Sequence, residues 1–319
     1  MNKKTKMVLL TNIILFIVLL LCAEFSFYKL YCKGVEPLLI NHQRITNQKL
    51  KIKYSYPVLF NIDDYKNGFR EIKGSKPSQP PILLVGASYT SGHNLEKNQR
   101  LDYKLSKLTG RTVYTKAIDG TGPQSLYYLF KNTDIKKEIP DIGFIIYPFV
   151  PSHIYKPYEY SLSYLSTRLN IRYKDKNGKL EEIKPLFPIL YSSFTVKMAQ
   201  NYLRDAETSA LIKEGKQYNL FNTIMDNTIQ TTKKDFPNSK FIILEYPDPD
   251  FGILESHKIA KIPQKEREYL EKLGFIYINA NELTGKNIGT LEYRSDDKDH
   301  PNEKAWNEIV PRLVKKLNL

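Results

Sequence analysis

From residue 82 to the C-terminal end, short apolar runs and amphipathic stretches take turns, and this alternation constrains the fold more than any other feature of the chain. Residues 82–85, "ILLV", read as a short buried strand. Residues 96–108 read as an amphipathic helix with Leu101, Tyr103, Leu105 and Leu108 on its inner face, ended by Gly110. A strand over 111–118, a helix over 123–132 entered through Pro123, and a strand over 143–150 follow. The pattern resumes with a helix over 218–236, a strand over 240–247, a helix over 263–273 and a strand over 274–280. A last helix over 303–317 contains Pro311 and is expected to kink or break there. Strands alternating with helices build βαβ units, hence a parallel sheet covered on both faces, with ligand sites at the carboxyl ends of its strands. Residues 151–217, rich in Tyr, Pro and Lys, interrupt the alternation and read as an insertion over one edge of the sheet.

The N-terminus is of another kind. Lys3, Lys4 and Lys6 precede an apolar run over 7–23 that only Thr11 and Asn12 interrupt. A helix of roughly 20 such residues crosses a bilayer core. Small residues suited to cleavage are lacking where the run ends in Leu19-Leu20-Leu21-Cys22, so an uncleaved signal anchor is favoured over a removed signal peptide. The leading lysines place the N-terminal tip in the cytoplasm and the rest outside a bacterial cytoplasmic membrane. The expected organisation is a tip and anchor over 1–30, a stem and Gly/Ser/Pro linker over 31–80, and one globular domain over 81–319.

Charge and cysteine content narrow the partners. The formal charge is +14, and no zinc-finger or RNA-binding signature accompanies the scattered lysines. An anionic envelope polymer and a merely solvated Lys-rich surface both fit such a balance. A nucleic-acid partner is not expected, since export removes the domain from it. The two cysteines, Cys22 and Cys32, lie outside the globular part, which excludes a disulfide framework and a Cys-based metal site there. Five histidines occur, none in an H-x-x-x-H pair, so an all-His/carboxylate site is open only in principle and no cofactor is expected.

Three local patterns carry chemistry. In "GASYTSG" Ser88 follows a strand end where Gly86 permits a sharp turn, as a nucleophile at the mouth of a sheet requires. In "SDDKDHPNEKAW" Asp297 stands three residues before His300, so one loop holds a carboxylate able to fix an imidazole tautomer beside the base. Helix capping also explains aspartates there, but not the histidine. In "AIDGTGPQ" Gly120 and Gly122 lead into a helix; taken alone this reads as an ordinary strand-to-helix turn, and a Gly120 N–H directed into the same pocket is the functional alternative. Each lies at a predicted strand end followed by a helix, so one face of one sheet can gather them.

Together these blocks resemble the SGNH, or GDSL-like, hydrolases, over roughly residues 80–318. "GASYTSG" is similar to their first block, "GTGPQ" to the second and "DKDHPN" to the D-x-x-H block. The resemblance implies a flavodoxin-like three-layer α/β/α domain, here preceded by a transmembrane helix. It further implies a Ser88–His300–Asp297 triad with Ser88 and Gly120 as oxyanion donors. Ala87 stands where the family usually has Asp. At the third block the chain has "YPFVPSHIY", so Ser152 falls where the oxyanion Asn is expected, with a hydroxyl able to donate one hydrogen bond. The expected function is a serine esterase or O-acyltransferase acting on acetyl esters of envelope polysaccharide. Its partners are an acylated carbohydrate, the membrane and a possible membrane acyltransferase. A catalytically degenerate scaffold binding glycan or such a partner is the alternative, favoured by the missing Asn.

Overall fold

The computed structural model describes residues 3–27, 65–66, 69–117, 121–158, 173–182, 209–211, 213–216, 218–248 and 261–319. Five parallel strands form the centre: β3 (Ile82–Gly86), β4 (Val113–Ala117), β5 (Phe144–Phe149), β8 (Lys240–Glu245) and β9 (Phe275–Asn279). Their order across the sheet is β4-β3-β5-β8-β9. Counted along the chain this is 2-1-3-4-5, the flavodoxin-like doubly wound order expected above. Its switch point lies between β3 and β5, the strands that run directly into Ser88 and Ser152.

Period-two alternation on these strands explains the two faces. Leu83 and Val85 of β3, Ile145, Tyr147 and Phe149 of β5, and Phe241 and Ile243 of β8 point into one core. That core is closed by Leu126 and Phe130 of the Pro123–Asn132 helix and by Phe221, Met225 and Ile229 of the Asn219–Asp235 helix. Ile82, Leu84, Ile146, Ile242 and Leu244 point into the other. It is closed by Leu101 and Leu105 of the Leu101–Thr109 helix and by Trp306, Ile309 and Leu313 of the Glu303–Leu317 helix. Burying each such side chain contributes about 1.5–3 kcal/mol.

Several sequence expectations need adjustment. The helix expected over 96–108 begins at Leu101, preceded by a 3-10 turn over Lys97–Gln99, and Leu108 is 52 % exposed rather than inward. The buried arc takes in Leu101, Asp102, Leu105, Ser106 and Thr109, and Leu108 falls at its outer margin in the last turn. The last helix runs unbroken through Pro311. Pro311 is exposed, as is Asn307, whose carbonyl loses its helical partner, so water can serve that group. The sheet also extends upstream of residue 81. β1 (Tyr65–Lys66) and β2 (Phe69–Ile72) form a hairpin that joins the β4 edge antiparallel, Arg70 opposite Thr115.

Within 151–217, a 3-10 helix covers Pro151–Tyr158, and β6 (Tyr173–Lys176) and β7 (Lys179–Glu182) form a separate antiparallel hairpin. Tyr173 and Leu180 of that hairpin pack with Tyr127, Leu220 and Ile224 on the two helices beneath. The rest of the expected insertion lies outside the described residues.

Lys3–Phe27 forms a helix of 25 residues. Among the described residues no helix is long and apolar enough to cross a membrane, so the expected transmembrane helix is not supported by the described structure.

Candidate active site

The Ser88 turn is built by two glycines. Gly86 ends β3 at φ 149°, and a Cβ there would lie 2.4 Å from Thr90 Oγ1, so only glycine fits. The chain then turns at once into a short helix, Ser88–Ser91, whose C-cap Gly92 has φ 76°. Ser88 is partly exposed, while Ala87, Tyr89, Thr90 and Ser91 are buried. The turn is thus rooted in the core and offers Ser88 at its surface. Thr90 Oγ1 donates to Val85 O at 3.3 Å, and Ser91 Oγ to Ser88 O at 2.9 Å.

A buried arginine braces this turn from the sheet edge. Arg70 of β2, 1 % exposed, ion-pairs through Nε with Asp102 at 2.5 Å and donates from Nη1 to the Ser91 carbonyl at 2.8 Å. Asp102 also accepts from Thr115 Oγ1 at 3.4 Å and faces Arg100 Nε at 3.5 Å.

His300 and Asp297 sit on the loop before the last helix. An isolated bridge between Arg294 and Pro301 closes this loop, and Ser295 N donates to His300 O at 2.7 Å. Lys298, at φ 62°, turns it. Asp297 Oδ1 accepts from the backbone N–H groups of Asp299 (2.9 Å) and His300 (3.0 Å). Oδ2 faces His300 Nδ1 at 2.6 Å and accepts from Asn94 Nδ2 at 2.7 Å. Burial pushes the Asp297 carboxyl up, but those two N–H groups and the charge and ring N–H of His300 outweigh it, leaving it below the ordinary Asp range. An ionised Asp297 holds the proton on Nδ1, so Nε2 is the ring nitrogen that accepts one.

Two neighbours of Ser88 hold the loops together. The Tyr89 ring packs edge-on to His300 at 5.4 Å, and its hydroxyl donates to Asp299 O at 2.7 Å. Burial pushes the Tyr89 hydroxyl well above its ordinary value, against the lowering pull of Arg294, so it remains a donor. His93, whose N–H donates to Ser88 O at 3.2 Å, lays its ring against His300 at 4.5 Å. Buried Arg294 ties Tyr89 Oη (2.7 Å), Asp299 O (2.6 Å) and Pro247 O (2.7 Å) to one guanidinium. The Ser88 turn and the Asp297–His300 loop are therefore held against each other beyond the carboxyl end of β3.

The oxyanion residues fare differently. Gly120 lies outside the described residues. Ser152 requires a correction. Its N–H donates to Asp248 Oδ2 at 3.0 Å and its hydroxyl to Asp248 Oδ1 at 2.7 Å, so both of its hydrogens are committed to a buried carboxylate and none is left for an oxyanion. Sequence reasoning missed Tyr89, His93, Asn94, Asp248 and Arg294. Only His93 and Asn94 gave a signal, standing five and six residues beyond Ser88 in the same run.

No family model and no curated protein matches this chain. Among solved structures it is similar to a G-D-S-L family protein, described as lipolytic, from Desulfitobacterium hafniense. Identity is 11 %, the match covers 74 % of this chain and 99 % of that one, and the TM-score is 0.44. It is similar to an extracellular lipase from Streptomyces rimosus, at 12 % identity, 74 % and 99 % coverage and a TM-score of 0.43. It is similar also to a carbohydrate esterase family 2 enzyme of Corynascus, at 12 % identity, 76 % and 66 % coverage and a TM-score of 0.42.

Proposed function

We propose that this protein is a serine esterase or O-acyltransferase of the SGNH type, with acetyl esters of cell-envelope polysaccharide as its substrate class. The observation that carries the reading is the 2.6 Å Asp297–His300 pair, held on a loop that both Tyr89 and His93 tie to the Ser88 turn. Ser88 Oγ attacks the ester carbonyl carbon while His300 Nε2 takes its proton. The tetrahedral oxyanion is met by the Ser88 N–H and, in this reading, the Gly120 N–H. The C–O bond to the leaving sugar then breaks, and the proton on His300 passes to that alcohol oxygen. Water or a second sugar hydroxyl, deprotonated by His300, opens the acyl-enzyme; the first outcome is hydrolysis and the second is transfer. Carbohydrate as acceptor is supported by the polar cleft of about 790 Å³ beside His93, lined by Asn94, Gln99, Arg100, Asp296, Asn302 and Glu303.

The test is turnover of p-nitrophenyl acetate by the full chain in detergent, beside Ser88→Ala and His300→Ala. Loss of turnover in both variants is expected; equal turnover in all three overturns the reading. The commitment of Ser152 to Asp248 favours a second reading, a degenerate scaffold that binds envelope glycan or a membrane acyltransferase. Absence of turnover together with saturable glycan binding selects it.

We further propose that the protein is exported and held on the bacterial cytoplasmic membrane by its N-terminal helix. The flanking lysines and the exposed Val8, Ile14, Phe16 and Leu21 side chains support this. Retention in the membrane fraction after alkaline carbonate extraction is expected, and release into the supernatant sinks the anchor.

A further inference from the structure

His93 has no part in the triad, yet it stands against it. One ring nitrogen of His93, one of His300 and a carboxylate oxygen of Asp297 lie within 4.8 Å of one another. We propose that these three side chains form a binding site for a divalent transition-metal ion such as zinc, and that the ion and ester catalysis exclude each other.

Two imidazoles and one carboxylate make a donor set suited to zinc, leaving a fourth position for water. Tetrahedral donors at roughly 2.0–2.2 Å from one zinc ion lie about 3.4 Å apart, so closing a trio spread over at most 4.8 Å takes side-chain shifts of roughly one ångström. The side chains have that freedom, for His300 is 13 % exposed and Asp297 28 % exposed, and His93 lines the open polar cleft through which an ion arrives. The supporting groups are also in place. Asn94 Nδ2 holds Asp297 Oδ2 at 2.7 Å, and the Asp299 and His300 N–H groups hold Oδ1. Such partners of a ligand orient it and strengthen metal binding. The His93 backbone is fixed by its bond to Ser88 O.

Exclusion follows from which nitrogen of His300 the ion takes. Through Nε2, the ion occupies the lone pair that receives the Ser88 proton. Through Nδ1, it displaces the proton shared with Asp297, and the neutral ring then carries its hydrogen on Nε2. Neither form is a base toward Ser88. The metal-binding claim stands apart from the esterase reading, and only its consequence for turnover rests on it.

The test uses the full chain, freed of metal by a chelator and titrated with Zn²⁺ against a chromophoric competitor, with Co²⁺ ligand-field bands as a second readout. One ion per chain is expected. His93→Ala and His300→Ala each weaken binding at least tenfold, and Asn94→Ala weakens it about tenfold. Thermal melts establish that each variant is folded, and His93→Gln carries the test if His300→Ala is not. Failure to bind one ion, or binding unchanged in the folded histidine variants, overturns the site. In the activity arm Zn²⁺ suppresses p-nitrophenyl acetate turnover, and His93→Ala needs at least about tenfold more zinc for the same suppression. Binding without suppression overturns the exclusion. Binding with no turnover in any form leaves the metal site standing and removes the esterase reading.

Discussion

Ser152 and Asp297 show how far a single side chain can be assigned from its partners. Ser152→Ala removes the hydroxyl donor of the buried Asp248 carboxylate but no oxyanion donor. The expected result is a stability loss of about 1–3 kcal/mol by denaturant unfolding, with kcat/KM changed less than about tenfold. A true oxyanion donor costs roughly 10²–10³ in turnover, so a fall of that size would restore the sequence-based assignment. Asp297→Asn keeps the loop but releases the tautomer, and kcat is expected to fall by about three to four orders of magnitude with KM little changed. At this scale the sequence was legible where the chemistry is local, because Asp297 and His300 are three residues apart and Ser88 follows a strand. Arg294 was not legible. It meets Tyr89 across 205 positions, and nothing in "LEYRSDD" distinguishes it from a surface arginine.

Secondary elements were read well wherever apolar periodicity was strong. The helices at Pro123–Asn132 and Glu303–Leu317 and the five parallel strands fall where the pattern puts them, within one or two residues at most ends. The β1–β2 hairpin escaped because "FREI" sets two adjacent charged residues between two apolar ones, which breaks a period of two, and Arg70, against its chemistry, is buried. That arginine explains why the hairpin belongs to the fold. Arg70→Ala leaves Asp102 short of its strongest partner in the interior, and a destabilisation of about 3–5 kcal/mol is expected. The double variant Arg70→Met with Asp102→Leu should recover much of that loss, since removing both charges leaves neither stranded. Chemical denaturation of the two variants beside the parent chain checks this, and a double variant no more stable than Arg70→Ala would show that the pair itself carries the stability.

For the molecule as a whole, one interior carboxylate sets a pH dependence. Glu245, at the end of β8, is fully buried. It accepts from Tyr277 Oη and from Asn279 Nδ2, and lies 3.7 Å from Arg267. Burial pushes its carboxyl up to about 7, against the lowering pull of Arg267 and of its hydrogen bonds. In the range between the ordinary Glu value and 7 the folded chain binds more protons than the unfolded one. This contribution is therefore fully present below the ordinary value and is lost as pH rises through about 7, by about 3 kcal/mol at most. Glu245→Gln should flatten that loss in thermal melts between pH 5 and about 9; an unchanged slope would show that Glu245 does not set it. The doubly wound order was foreseeable from the alternation, whereas this network was not, since Glu245, Arg267 and Asn279 come from three separate elements.

The tie between Tyr89 and Arg294 also has a consequence in time. The nucleophile turn is made early in synthesis, but the guanidinium that fixes it to the base arrives with the final stretch of chain, after all five parallel strands. A nascent chain that has emerged only through residue 290 can pair its sheet yet has neither base nor clamp. On the proposed esterase reading, activity therefore appears late and abruptly, as the last loop and helix dock, and partly made copies stay silent while they wait.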